Sequence, residues 1–393
     1  MSMPKRVLLR VMRRLEEKDA ASVAATCKTG MRSARHSAWS TCMRMRNLGR
    51  TLNLDREAMD SEPNVSHIAR LSAEIIGEIM NLIAPRHLVS LARASRLFRD
   101  AFKRHMLGAA YKSMHAVGIP PAQFMEAMLS TSSIIAGSVP ANILSGNTFT
   151  PADLDVVTPA SEEDTMMAIL KTYGFTQTDS KTPRGMQGSL RMLYKLTKDD
   201  HTIRLWVASS ENPTVPIMLT ATTFVMNYIS PWGIYCAYPR MTLTNRGLLN
   251  YFTDEGQDAN HEITYRRVMQ ALNKYTARGV TFEVDDRNWP DLCKKHVCFS
   301  SASCTHTARN LYDSAGMHIS FPVSYTGYKK YLAENTRLNS KQTTIWSLGG
   351  NFCGDPVLFH RAFSRNVALH MKRPENFEEM SYVEDDEVEE DEA

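Results

Sequence analysis

The 393-residue sequence contains no uninterrupted apolar run long enough to cross a bilayer, which argues against a membrane-spanning helix and a membrane partner. Its basic N-terminus is interrupted by Glu16, Glu17 and Asp19 and is followed by no apolar core. Neither a secretory signal nor an acid-poor mitochondrial presequence is expected. A P-loop is missing too: Gly349-Gly350 closes a strand-like run, with no GK[ST] and no helix start after it. Cysteines number 7, an odd count. In a chain without an export signal they point to reduced thiols and a cytoplasmic or nuclear location. No aromatic side chain stands among Arg10, Arg13 and Arg14, or between Arg44 and Arg46. That N-terminal basic face is therefore read as solvated rather than as a stacking surface for nucleic acid.

What is present is ordinary for a globular chain, with 43% hydrophobic and 22% charged residues. The length accommodates two or three domains. Charge is unevenly spread. Residues 1–50 hold 12 Lys/Arg against 3 Asp/Glu, whereas residues 374–393 hold 11 Asp/Glu and no Lys/Arg. The expected organisation is a basic helical segment over 1–50, a polar linker over 51–70, a helical hairpin over 71–105, an α/β domain over 106–373 and a disordered acidic tail over 374–393. A gapless overlay of residues 7–34 on 74–101 pairs Leu8 with Ile75, Leu9 with Ile76, Leu15 with Leu82 and Ala25 with Ala92. The first segment thus reads as a degenerate repeat of the hairpin.

In the hairpin, Ser72 caps a helix carrying Ile75, Ile76, Ile79, Met80 and Ile83, which Pro85 ends. A second helix carries Leu88, Leu91, Ala92, Phe98 and Phe102. The α/β domain is organised around residues 133–157. A short apolar strand ends at Gly137-Ser138, a helical turn follows, and Asp153-Leu-Asp-Val-Val forms a second strand. Side chains alternate along a strand, so Asp153 and Asp155 project from one face, opposite Leu154 and Val156. Two adjacent carboxylates repel unless a cation lies between them. Further on, residues 190–196 and 202–208 read as a hairpin turning at Asp199-Asp200. Residues 246–252, 263–279 and 329–336 read as helices, 307–312 as a helical turn, and 359–370 as a final helix. Arg266, Arg267 and Lys274 suit either phosphate contact or a solvated helix face.

Strand, Gly-Ser, helix, then Asp-x-Asp on the next strand resembles the core of the nucleotidyltransferase superfamily. The runs Ile203–Ser209, Thr223–Ser230 and Tyr238–Leu243 resemble a group of fungal proteins with such a domain, many of which carry an F-box-like segment. The stretch Leu71-Ser-Ala-Glu-Ile-Ile with Leu88-Val-Ser-Leu-Ala-Arg resembles an F-box, with Ser72 where that family usually has proline. The implied fold is α+β: N-terminal helical F-box-like segments, then a mixed-sheet nucleotidyltransferase-like α/β domain with a C-terminal extension. The resemblance implies phosphate contacts at Gly137 and Ser138, and Mg²⁺ at Asp153 and Asp155 with a nucleoside triphosphate. It also implies adaptor contacts at Leu71, Ile75, Ile76, Leu88 and Leu91 to the Skp subunit of cullin-type ubiquitin ligases.

Active members of the superfamily place a third carboxylate on a later strand. The matching strand here, residues 202–208, offers Arg204 and no acid, leaving Glu283, Asp285 and Asp286 as distant candidates. Two functions follow. One is an interaction protein that couples a target protein to a ligase adaptor through a catalytically inactive recognition domain. The other is an active Mg-dependent nucleotidyltransferase using Asp153 and Asp155. Cys298, Cys304 and His306, with Cys293 and His296 nearby, form either a zinc loop or a set of thiols. The five residues between Cys298 and Cys304 are more than structural zinc sites usually place between cysteines.

Overall fold

The computed structural model describes residues 72–183, 188–250, 260–289, 291, 296–297, 300–305, 307–322, 342–349 and 362–366. The basic segment 1–50, the linker 51–70, Leu71, the helix expected over 329–336, Cys293, Cys298, His306 and the acidic tail lie outside the described residues. Two compact units divide between His105 and Met106.

The first unit contains α1 (Ala73–Leu82), α2 (Pro85–Ala94) and the start of α3 (Arg96–Ala116). The Ser72 hydroxyl accepts the Ile75 N–H at the start of α1, and Pro85 begins α2, where its missing N–H costs nothing. Ser95 is extended and separates α2 from α3, so the expected second helix is two. Ile76, Ile79, Met80, Leu88, Val89 and Ala92 are buried. No described helix is long and apolar enough to cross a membrane.

The second unit begins within α3 and continues through α4 (Pro121–Ser130), β1 (Ile134–Ala136), α5 (Ser138–Leu144), β2 (Leu154–Thr158) and α6 (Glu163–Thr172). Then come β3 (Thr176–Lys181), β4 (Leu190–Lys198), β5 (His201–Ala208), β6 (Asn227–Ser230), β7 (Gly233–Cys236) and α7 (Pro239–Thr242). The last elements are β8 (Arg246–Leu248), α8 (Asn260–Thr276), β9 (Thr281–Glu283), β10 (Arg309–Asn310), β11 (Met317–Ser320), β12 (Gln342–Trp346) and β13 (Ala362–Asn366). Eight strands form one mixed sheet in the order β11-β7-β6-β1-β2-β5-β4-β3. Within it only β2 and β5 run parallel. The other neighbours are antiparallel. Leu154, Val156, Ile203, Leu205 and Val207 are all fully buried; the strand period of two puts them on one face. The opposite face of the same two strands carries Asp155 and Arg204 beside Val157 and Trp206, which pack into a hydrophobic cluster.

Three expectations change. Residues 246–248 form a strand parallel to β9 rather than a helix. Gly247 passes so close to its neighbours that a Cβ there would lie 2.7 Å from Thr222 Oγ1. Leu248 donates its N–H to Thr223 Oγ1 at 2.8 Å, a tertiary contact that overrides helical periodicity. Residues 309–310 pair with β12 instead of forming a helical turn, and 362–366 pair with β12 instead of forming the last helix. Backbone partners supplied by a distant strand decide both.

The strand β10 is anchored by Arg309, which is buried. Its guanidinium donates to Asp313 Oδ1 at 2.9 Å and to the Ala237 carbonyl at 3.0 Å. It lies 4.7 Å from the Tyr238 ring centroid and 5.2 Å from that of Trp346. Planar stacking with a bidentate edge is something a lysine ammonium cannot reproduce. Arg309→Met removes the cation facing a partly buried carboxylate and is expected to lower stability by about 3–5 kcal/mol. Arg309→Lys should recover little of that loss. Urea unfolding of the full chain checks this, and a loss below about 1 kcal/mol for the methionine variant contradicts the anchoring role.

Candidate functional site

The site is a row across three adjacent strands. Ala136 at the end of β1 is the register partner of Asp155 on β2, and Asp155 is the register partner of Arg204 on β5. Because β2 and β5 are parallel and in register, Asp155 and Arg204 leave the sheet from the same face, away from Leu154 and Ile203. Arg204 Nε lies 2.8 Å from Asp155 Oδ1, and its Nη2 donates to Asp155 Oδ2 at 3.4 Å. The same Nη2 forms an ion pair with Asp153, just before β2. Trp206, two positions beyond Arg204, donates its indole N–H to Asp155 Oδ1 at 2.9 Å. The expected projection of both acids to one side is met, since one guanidinium reaches both.

Gly137 closes the row. Its φ of 70° lies in the left-handed region, and a Cβ there would sit 2.3 Å from Asp155 Oδ2. Only glycine lets the β1–α5 turn pass this near the carboxylate. Ser138 follows, and its buried hydroxyl has no hydrogen-bond partner among the described residues.

Three further side chains complete the surroundings: Lys274 and Tyr275 on α8, and Arg278 just after it. Lys274 interacts electrostatically with Asp153, Arg204, Arg278 and Asp155. Tyr275 packs in a core cluster with Ala141, Phe224, Val225 and Val280, with the Phe149 and Phe224 rings edge-on at 6.1 and 5.5 Å. Arg278 lies 4.5 Å from the Phe149 centroid and 5.5 Å from that of Tyr275.

Electrostatics follow from burial. Desolvation pushes the Asp155 carboxyl above the ordinary carboxylate range, against the pull of Arg204. Burial also works against the Arg204 charge, but Asp155 and Asp153 together hold its guanidinium above its usual value. Lys274 is lowered, chiefly by burial, with Asp153 opposing.

A divalent metal needs carboxylate oxygens that are not already neutralised, in numbers that compensate its dehydration. Both acids here are bound to Arg204, and the described residues contain no group of three or more His, Cys, Asp and Glu that could hold a metal. The other acids are engaged elsewhere. Glu283 accepts from Asn288 at 2.8 Å, Asp285 accepts the Arg287 N–H at 2.8 Å, and Asp286 pairs with His296 and Ser303. Asp199 and Asp200 form the exposed β4–β5 turn. These residues do not fit a metal site.

No family model, curated protein or solved structure matches this chain. The site therefore stands on its own geometry. Gly137, Ser138, Asp153 and Asp155, expected to act together, are brought together with Arg204. Phe149, Tyr275 and Arg278 carry no sequence signal that would assign them here. The strand period could have placed Trp206 beside Arg204, but Phe149 and α8 arrive through tertiary packing. Of the adaptor-contact candidates, Ile76 and Leu88 are buried, while Ile75 and Leu91 are half-buried. Of the zinc candidates Cys304 is fully buried and the neighbouring His296 pairs with Asp286; Cys293, Cys298 and His306 lie outside the described residues.

Arg204→Ala leaves two carboxylates facing one another without their guanidinium, and is expected to destabilise by roughly 3 kcal/mol. A folded-state pKa raised above the unfolded one gives stability that is present at low pH and lost as pH rises through the folded value. Removing Arg204 raises Asp155 further, so the loss measured by urea unfolding should shrink as pH falls from 7 toward 5. A pH-independent loss would show that the ion cluster is not its cause. Gly137→Ala combines a positive φ with collision against Asp155 and should cost roughly 2 kcal/mol or more. A thermal midpoint unchanged from wild type contradicts that close approach.

Proposed function

We propose that this chain is a non-catalytic interaction protein. Its F-box-like helical unit engages a Skp-type ubiquitin-ligase adaptor, and its nucleotidyltransferase-like domain recognises a target protein instead of transferring a nucleotide. The observation that carries this reading is Arg204, whose guanidinium bridges Asp153 and Asp155. The row on the sheet where a metal-dependent transferase requires acids and a mobile cation holds a covalently attached cation. Nucleotidyl transfer needs metal to activate the acceptor hydroxyl and to stabilise the leaving group. A guanidinium has a fixed fork of donors, is not deprotonated in proteins, and supplies no open coordination position for either oxygen. The cluster supports the strand pair and shapes a surface.

For the helical unit, support comes from apolar side chains remaining at its surface. Ile75 and Leu91 are half-buried and Leu82 is 61% exposed. Buried Ile76 and Leu88 hold the helices together beneath them.

One experiment addresses each half. Incubated with labelled nucleoside triphosphates and Mg²⁺, wild type and Asp153→Ala/Asp155→Ala should give the same background. Transfer by wild type that the double variant abolishes would establish the enzyme instead. In a pull-down with purified Skp adaptor, Ile75→Asp/Leu91→Asp should reduce capture at least tenfold, about 1.4 kcal/mol. Retained capture removes the adaptor assignment.

A further inference from the structure

The charges around Asp155 do not balance. Asp153 and Asp155 share Arg204, leaving one negative charge when both acids are ionised. Lys274, whose electrostatic neighbours include both carboxylates, compensates it. Arg278 then remains. Among the described residues it forms no salt bridge; its guanidinium faces the Phe149 and Tyr275 rings, and its Nη1 is buried without a hydrogen-bond partner.

The ordinary use of a cation at this position is to cap the end of a helix. Here the backbone does that work. Val280 donates to the Tyr275 carbonyl at 3.1 Å, Gly279 to Thr276 at 2.9 Å, Arg278 to Tyr275 at 3.0 Å and Ala277 to Asn273 at 3.0 Å. The Arg278 side chain is spent on neither carbonyls nor carboxylates. A partly buried cation with an orphaned donor calls for an anion. Contact with the Phe149 and Tyr275 rings restricts the guanidinium and lowers the entropy lost when it binds. Lys274 and Arg278 are both half-buried, so each side chain keeps part of its surface in solvent.

We infer that Lys274 and Arg278, backed by Phe149 and Tyr275, form a metal-independent binding site for a phosphate monoester. This rests on the non-catalytic reading above and specifies one group that the recognition domain takes. A phosphate dianion supplies several acceptor oxygens, enough for an ammonium and a guanidinium edge together. Its charge offsets the surplus of Arg278. Free phosphate, a nucleoside monophosphate and a phosphorylated side chain share this chemistry.

The full chain is titrated calorimetrically in EDTA with inorganic phosphate, O-phosphoserine and AMP, at low and moderate ionic strength. Saturable binding of at least one ligand is expected, weakening with salt. The tightest of the three identifies the source of the phosphate. Arg278→Gln and Lys274→Gln should each weaken it roughly tenfold, while Lys195→Gln, on the exposed side of β4, should leave it unchanged. If Arg278→Gln lowers the thermal midpoint, Lys274→Gln carries the comparison. No saturable binding, or binding undiminished in both variants, overturns the inference and leaves the non-catalytic reading intact. Binding that requires Mg²⁺ and is lost in Asp153→Asn overturns both.

Discussion

A single guanidinium holding two carboxylates on a sheet face is the interaction on which the centre of this domain depends. Asp155 would not tolerate its position alone. Asp155 is buried to 8% exposure, and desolvation works against its charge. Arg204 makes the arrangement tenable because β5 runs parallel to β2 in a register that sets it directly beside Asp155. The indole N–H of Trp206 occupies the same Asp155 oxygen that Arg204 Nε approaches. Buried ion pairs add little net stability relative to apolar packing, yet breaking one leaves an uncompensated charge. The cluster therefore specifies which strands lie together more than it adds to their stability.

The same constraint reaches outward. Gly137 must be glycine because the turn leaving β1 runs against Asp155. The short α5 that follows places Ala141 against Tyr275 and Phe224. Tyr275 in turn supports the Arg278 guanidinium and brings Lys274 within electrostatic reach of the acids. Charge on one face of the sheet is balanced by side chains from a helix more than a hundred residues away in sequence. The opposite face of β2 and β5, with Leu154, Val156, Ile203, Leu205 and Val207, is apolar and buried.

Local signals were readable where one element alone decided the outcome. The apolar strand before Gly137, the paired acids one residue apart, the β4–β5 hairpin at Asp199-Asp200 and the Ser72 cap all follow from side-chain period, turn chemistry and capping. They appear in the structure within a residue or two. Misreadings fell where pairing partners lie far off. Residues 246–248, 309–310 and 362–366 have apolar spacing compatible with a helical turn, but each lies against another strand. A strand needs its neighbour's N–H and C=O groups, and no window of local sequence contains them.

By itself the sequence determined that Asp153 and Asp155 project to the same side of Leu154, that Gly137 interrupts the chain before them, and that no acid stands on residues 202–208. These are consequences of alternation and residue identity. Only the tertiary structure decided that Arg204 bridges the two acids, that Trp206 joins them, and that Arg278 lies against the Phe149 and Tyr275 rings with no salt bridge among the described residues. Those outcomes depend on strand order, parallel register and the docking of α8, which long-range packing sets and local sequence does not encode.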